Sequence, residues 1–269
     1  MSESKVGKAS EPGEYDAAML ALLQIIWGEG FLSPGGAEEV ARLLEGSDIR
    51  GADVLDIGCG LGAVDEILIR SYAARSVTGI DIDPLLLALM EQRMASAGLT
   101  DRIRAQRVEP GPLPFASSSF DVVFSKDSMV QIPDKASIFA EVLRVLRPGG
   151  RFIASDWLRG GSGEYSDEMQ EFFRLEGIAY NMASLDESAA IMRAAGFIEV
   201  EVRDRHEWYA PLARRELASM QGPLHGLIVR EIGEERARHF IEDWRQLVVV
   251  LDRGELRPGH LKAIKPRVA

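Results

Sequence analysis

Apolar and polar positions change their period along the chain. From Tyr15 to Trp27 the apolar residues Tyr15, Met19, Leu22, Leu23 and Ile26 fall near helical spacing, which predicts a helix. Gly28 stops it, "GEGFLSPGG" reads as a loop, and Pro34 opens a short helix over Ala37 to Leu44. From Ala52 the pattern changes. "DVLDIG", "SVTGIDID", "IRAQRVE", "FDVVFSKD" and "RFIASDW" are brief apolar runs, as expected of strands buried on both faces. "AVDEILIRSYA", "PLLLALMEQRMASAG" and "DKASIFAEVLRVLRPGG" read as helices between them. The strand-helix rhythm predicts an α/β fold, a mostly parallel sheet with helices on both faces.

After Trp157 the rhythm breaks. "LRGGSGEYSDEMQEFFRLEGIAYNMA" is a loop followed by an inserted helical segment, the natural candidate for a lid. "LDESAAIMRAAGF" is a capped helix, "IEVEVRDR" a strand, and Met220 to Leu251 one or two long helices. "GELRPGHLKAIKPRVA" is a last strand or a closing segment. The expected organisation is a loose tail over residues 1–13 within an N-terminal helical cap segment, 1–50, and then a domain, 51–269. That domain carries the helical lid at about 160–182 and C-terminal helices at about 208–251.

Composition narrows the partners. With 269 residues and 46% apolar content the chain can bury a full core. A net charge of -11 and a pI of about 5.0 give no general attraction to nucleic acid or anionic membrane. One cysteine excludes an internal disulfide framework. The polar N-terminus lacks a signal core and no apolar run is long enough to span a bilayer. The expectation is a cytoplasmic monomer or homodimer that acts on a small molecule. His206, His225, His239 and His260 are scattered and form no metal string. They read as ordinary surface or cap residues, and no metal is expected.

"VLDIGCGLGAVDE", Val54 to Glu66, concentrates the chemistry. A strand ending in Asp56 points a carboxylate to the carboxyl edge of the sheet, where open parallel sheets bind ligands. Gly58, Gly60 and Gly62 allow a tight bend. Asp81 ends the second strand, 21 residues beyond Gly60, where an acid accepts hydrogen bonds from ribose hydroxyls. An acid at the start of the bend would crowd a pyrophosphate and suits a cofactor carrying an amine. No GxxxxGK[ST] string is present. A strand-to-helix turn without a ligand is the bland alternative. Cys59 lacks partners at ligand spacing. Asp65 and Glu66 read as favourable first-turn acids without a further role.

"VLDIGCGLG", "GIDID", "LPFASSSFDVVFS", "VLRVLRPGGRFIASD" and "AAGF" stand in the order of class I methyltransferases dependent on S-adenosylmethionine (SAM), and the chain resembles them over about residues 50–203. The resemblance implies a Rossmann-like fold with a seven-stranded sheet. It implies that Asp56, Gly58 and Gly60 hold the methionine part of SAM, and that Asp81 holds the ribose. Glu109 takes the place of the acid near adenine, where the family usually has Asp. Ile82, Pro110 and Ser125 are implied as further cofactor contacts.

Outside that core, "YDAAMLALLQIIWGEGFLSPGG" is similar to the N-terminal segment of phosphoethanolamine N-methyltransferases and of bacterial sarcosine and dimethylglycine methyltransferases. The likeness implies that Tyr15, Leu32 and Ser33 close over SAM. Two departures stand out. Gln131 occupies the place of a histidine, and glutamine cannot act as a base. Glu176 falls near an arginine that grips phosphate, although a one-turn shift would bring Arg174 there. A carboxylate repels a phosphate and welcomes an ammonium. The expected acceptor is therefore another small amine. Asp127 anchors it, Tyr15 orients or shields it, and Trp157, Trp208 and Tyr180 form aromatic walls. Core packing for the aromatics and a turn cap for Asp127 are the plain alternatives. O- or C-methylation of a secondary metabolite, sterol or quinone, and SAM binding without turnover, are the rival functions.

Overall fold

In the computed structural model residues 15–178 and 180–267 are described; the expected loose tail lies outside them. Asp16 caps the first helix, α1 (Ala17–Trp27), by accepting from the Met19 amide, and Gly28 ends it at a positive φ. The short α2 spans Gly36–Leu44. Then follow β1 (Asp53–Ile57), α3 (Ala63–Arg70), β2 (Ser76–Asp81), α4 (Pro84–Ala97), β3 (Ile103–Arg107) and β4 (Phe120–Lys126). Pro84 opens α4 and Gly98 closes it, both as the sequence predicts.

The helix α5 (Lys135–Val145) is shorter than its sequence pattern, because "RPGG" belongs to β5 (Leu146–Arg159). Pro148 has no amide hydrogen to continue a helix. The inserted helix α6 covers Asp167–Glu176. A full capping box of Ser184 and Glu187 starts α7 (Leu185–Ala195). The remainder is β6 (Ile198–Asp204), α8 (His206–Gln221), α9 (His225–Ile232), α10 (Glu234–Asp252) and β7 (Leu256–Ile264).

The seven strands run in the order β3-β2-β1-β4-β5-β7-β6. The pairs from β3 to β5 are parallel, and β7 inserts antiparallel between β5 and β6. This is the expected mostly parallel sheet of a Rossmann-like α/β fold. Alternate residues feed opposite faces. Val54 and Phe124 join Leu68, Val77 and Met90 on one side, while Leu55 and Val123 join Phe139 and Phe152 on the other. Each such buried side chain stabilises the fold by about 1.5–3 kcal/mol. A further apolar cluster ties Leu22 of α1, Phe172 of α6, Tyr209 of α8, Ile228 of α9 and Trp244 of α10 into a helical cap. The cap reaches Trp157 near the end of β5, so it covers the carboxyl edge of the sheet.

Candidate active site

The bend after β1 is shaped by what lies against it. Gly58 has φ 75°, and a Cβ there would stand 2.3 Å from the Ser128 side chain. Ser128 and Ser125 both donate to the Ile57 carbonyl, at 2.7 and 2.9 Å. Leu32 of the cap loop lies over Gly60, 3.2 Å from where a Cβ would be. The bend, the end of β4 and the cap loop therefore meet, which brings Leu32, Gly58, Gly60 and Ser125 to one corner.

Acceptor oxygens crowd this corner. Asp81 accepts from the amides of Gly60 at 3.1 Å and Asp83 at 3.0 Å, and burial pushes its carboxyl above the usual range. Asp56 is buried, with Oδ1 lacking a hydrogen-bond partner. Burial, then the charges of Asp65 and Asp81, push it well above the carboxylate range. Asp65 does lie in the first turn of α3, yet it is wholly buried and both its oxygens lack partners. Burial pushes it up to about 7. An orphaned acceptor beside a ring of acids fits an ammonium and ribose hydroxyls, and rejects a pyrophosphate. Cys59 is buried against Met90, and burial raises its thiol well above the ordinary value; the side chain is structural. At the rim beyond β3, Glu109 and Pro110 are exposed and Glu109 pairs with Arg107 at 3.3 Å. Ile82 is half-buried, its carbonyl accepting from Arg107 at 3.3 Å.

Asp127 follows β4 with φ 57°, a conformation that costs a non-glycine residue energy and recurs at functional turns. Its Oδ1 accepts from Ser155 Oγ at 2.8 Å and its Oδ2 from Lys126 Nζ at 2.6 Å. The buried Lys126 also donates to Ser33 Oγ at 2.6 Å and the Pro34 carbonyl at 2.9 Å. Lys126 thus fastens the cap loop to the sheet edge. Asp127, Ser155, Trp157, Trp208, Glu39 and His260 help line a cavity of about 10 Å³, room for about one water. Trp208 has Arg205 over its ring at 4.8 Å, and Trp157 meets Tyr209 edge-on at 5.1 Å.

His260 departs from its expected surface role. It is buried on β7 and bonds Glu39 at 2.6 Å, while Arg205 grips Glu39 with two bonds of 2.6 and 2.9 Å. The cluster pins α2 beneath α8. Burial opposes ionisation of Glu39, but the Arg205 and His260 hydrogen bonds outweigh it and lower its carboxyl.

On the cap side, Tyr180 donates to Glu176 Oε1 at 3.3 Å and stacks on Phe173 at 5.3 Å. Arg174 faces outward and is exposed, paired with Glu171, so Glu176 is the residue of this helix end that turns inward. Gln131 ends a 3₁₀ turn, Met129–Gln131, and its carbonyl accepts from Asn181 at 3.2 Å. Tyr15 is half-buried and lies within electrostatic reach of Tyr180.

Three residues of this interior escaped the sequence reading: Lys126, Asp243 and Glu216. Asp243 falls at an apolar position of α10, with Phe240, Trp244 and Leu247. Glu216 does the same in α8, between Ala213 and Met220. An acid inside an apolar stripe was the available sign. Among the described residues there is no group of His, Cys, Asp and Glu suited to a metal, and no helix long and apolar enough to cross a membrane.

Comparison with known proteins agrees with the geometry. A methyltransferase domain family matches residues 55–154. The chain is 30% identical to the methyltransferase GfsG of Streptomyces halstedii, over 79% of this chain and 75% of that protein. It is 26% identical to phosphoethanolamine N-methyltransferase 1 of Zea mays, over 94% of this chain and 49% of the relative. The chain thus spans about half the length of such phosphoethanolamine N-methyltransferases. Phosphoethanolamine N-methyltransferase 2 of Haemonchus contortus, solved with phosphomonomethylethanolamine and S-adenosylhomocysteine, superposes with a TM-score of 0.86. That match has 22% identity and covers 95% of this chain and 59% of the other.

Proposed function

Because this chain belongs to the class I methyltransferases, enzymes that use SAM, we propose that its acceptor is the nitrogen of a small amine. The observation that carries the reading is the interior under the cap. Asp127, Glu176, Asp243 and Glu216 gather there with Trp157, Tyr180, Tyr209 and Trp244. Among the described residues, the one Lys or Arg that forms an ion pair with any of these four acids is Lys126. Although Arg205 also lines the cavity beside Asp127, such an acidic and aromatic lining suits an ammonium better than a phosphate.

SAM supplies an electrophilic sulfonium methyl. Asp56, Gly58, Gly60 and Asp81 are the residues proposed to hold it, with Leu32 and Ser33 above and Ile82, Glu109, Pro110 and Ser125 around it. The amine would first release its proton to solvent, and its nitrogen would then take the methyl that SAM supplies. Asp127, fixed by Lys126 and Ser155, orients the amine. Tyr15 and Gln131 shield it, and Trp157, Trp208 and Tyr180 wall the site. Close approach in line with the methyl then lowers the barrier by proximity.

The test is an acceptor screen with labelled methyl on matched amines, with and without a phosphate, together with phenols and sterols. Transfer to unphosphorylated amines is expected, with a rate that rises with pH as the free amine grows. Activity confined to phosphorylated amines, phenols or carbon acids would overturn the acceptor while leaving the cofactor assignment in place. Transfer to carbon or oxygen of a secondary metabolite, sterol or quinone is the second reading, favoured by Val130, Phe172 and Met182 in the same apolar lining.

A further inference from the structure

Glu176 and Asp243 approach each other from different helices, the end of α6 and the middle of α10. The two helices pack on each other, and the carboxyls lie close enough to share a hydrogen bond when one of them holds a proton. Asp243 is 5% exposed, and its Oδ1 has no hydrogen-bond partner. A buried acceptor left unsatisfied is costly. Among the described residues, no Lys or Arg pairs with either carboxyl. The neighbours are Tyr180, which donates to Glu176 at 3.3 Å, and the rings of Phe172 and Phe173, 5.7 and 5.3 Å from that of Tyr180.

The pair also belongs to the acceptor side of the molecule. The buried Tyr209 is within electrostatic reach of both Asp127 and Glu176. Asn181, next to Tyr180, bonds the carbonyls of Val130 and Gln131 just beyond β4. Tyr15 reaches Tyr180 from the start of α1. On α8, Glu216 accepts from Trp27, Trp244 and Tyr209 at 3.0, 3.3 and 3.4 Å, and burial raises its carboxyl despite these donors and the nearby Arg215.

We propose that Glu176 and Asp243 form a second cation subsite, which seats a distal ammonium of the acceptor while its other nitrogen is methylated. The inference rests on the amine reading and names the acceptor class: an aliphatic diamine or an amine with a second cationic group. The unpartnered Oδ1 and the shared proton are what an ammonium would replace. It donates to both carboxyls, and the displaced proton leaves to solvent. Phe172, Phe173 and Tyr180 cluster beside Glu176, and an aromatic surrounding favours a cation. Burial, then Glu176, pushes Asp243 up to about 10, consistent with a proton retained at neutral pH until a cation displaces it. The titratable groups facing the pair are Tyr180 beyond α6, which is near both carboxyls, and Tyr209 on α8, which is near Glu176; behind them, Tyr15 faces Tyr180 and Glu216 faces Tyr209.

Calorimetry on the full chain with S-adenosylhomocysteine tests this, using 1,4-diaminobutane, butylamine and phosphoethanolamine as probes. The diamine should bind at least about tenfold more tightly than the monoamine. Its heat should depend on the ionisation enthalpy of the buffer, because a proton is released. Glu176→Gln and Asp243→Asn should each erase the diamine preference while S-adenosylhomocysteine affinity, the check on folding, is kept. Equal binding of diamine and monoamine, no diamine binding, tighter phosphoethanolamine binding, or a preference that survives both substitutions would overturn the subsite. Labelled methyl found on carbon or oxygen of other acceptors, with the diamine preference intact, would instead sink the amine reading and leave the subsite standing.

Discussion

At the scale of single residues, Asp81 does two tasks that separate under mutation. It holds the bend through the Gly60 amide, and it presents the carboxylate assigned to ribose. Asp81→Ala should weaken SAM binding by about 1.5–3 kcal/mol, read by calorimetry, with the melting temperature little changed. Unchanged affinity would remove the cofactor assignment at this position. Asp127→Asn should raise KM and lower kcat/KM about tenfold, a decade being about 1.4 kcal/mol, with SAM affinity preserved. A variant as active as the parent would reduce Asp127 to a turn residue. Asp56, Asp81 and the glycines were legible because the strand end and the bend fix them locally. The ion pair of Lys126 with Asp127, and the burial of Asp65 and His260, were not. Lys126 is buried by Ser33 and Pro34 of a distant loop, His260 meets Glu39 from 221 positions away, and Asp65 is covered by the folded sheet rather than by a near neighbour; a lone sequence gives no distance between such positions.

Among elements, the loop between α1 and α2 is the one whose attachment can be measured. It is fastened to the sheet through Ser33, Pro34 and Lys126. Ser33→Ala removes one hydrogen bond and should cost about 1 kcal/mol. Faster amide exchange over residues 28–36 is the expected result, with SAM restoring part of the protection. Exchange that ignores both the substitution and SAM would show that the loop does not close over the site. The helices and strands of the sheet region were readable from period and punctuation, since each is bounded by Pro, Gly or a capping residue. The antiparallel insertion of β7 was less so. Pro258 argues against an interior strand, yet the ladder to β6 begins only at Gly259, beyond the proline. The cap was readable as helices but not as one body, because its shared cluster joins Leu22 to Leu256.

For the whole molecule, buried acids set the response to pH. Burial raises Asp65 and Asp156 each to about 7 and Asp243 to about 10, with Lys135 partly offsetting Asp156. A carboxyl raised on folding binds its proton more tightly in the folded chain. Its contribution is therefore complete at low pH and is lost as pH rises from the unfolded value near 4 toward the folded one. Each such group removes up to about 1.4 kcal/mol per pH unit within its window. Glu39, Glu66 and Glu255, lowered by their Arg, His and Ser partners despite burial, act oppositely and lose their contribution as pH falls below about 4. Without SAM, the melting temperature should peak near pH 5 and decline toward pH 8, and Asp65→Asn should flatten the decline. A melting temperature that climbs from pH 5 to 8 would contradict this balance.

The place of β7 in the sheet also has a consequence for synthesis. Among the described residues, strand β6 pairs only with β7, and β7 lies between it and β5. A nascent chain that has emerged as far as Asp204 therefore has nowhere to dock β6, and the edge of β5 stays open until residues 256–264 leave the ribosome. Until then the α8 to α10 stretch is tethered at one end only. A ribosome stalled at Gly254 would display an unpaired β5, a template for chaperones or for a neighbouring chain.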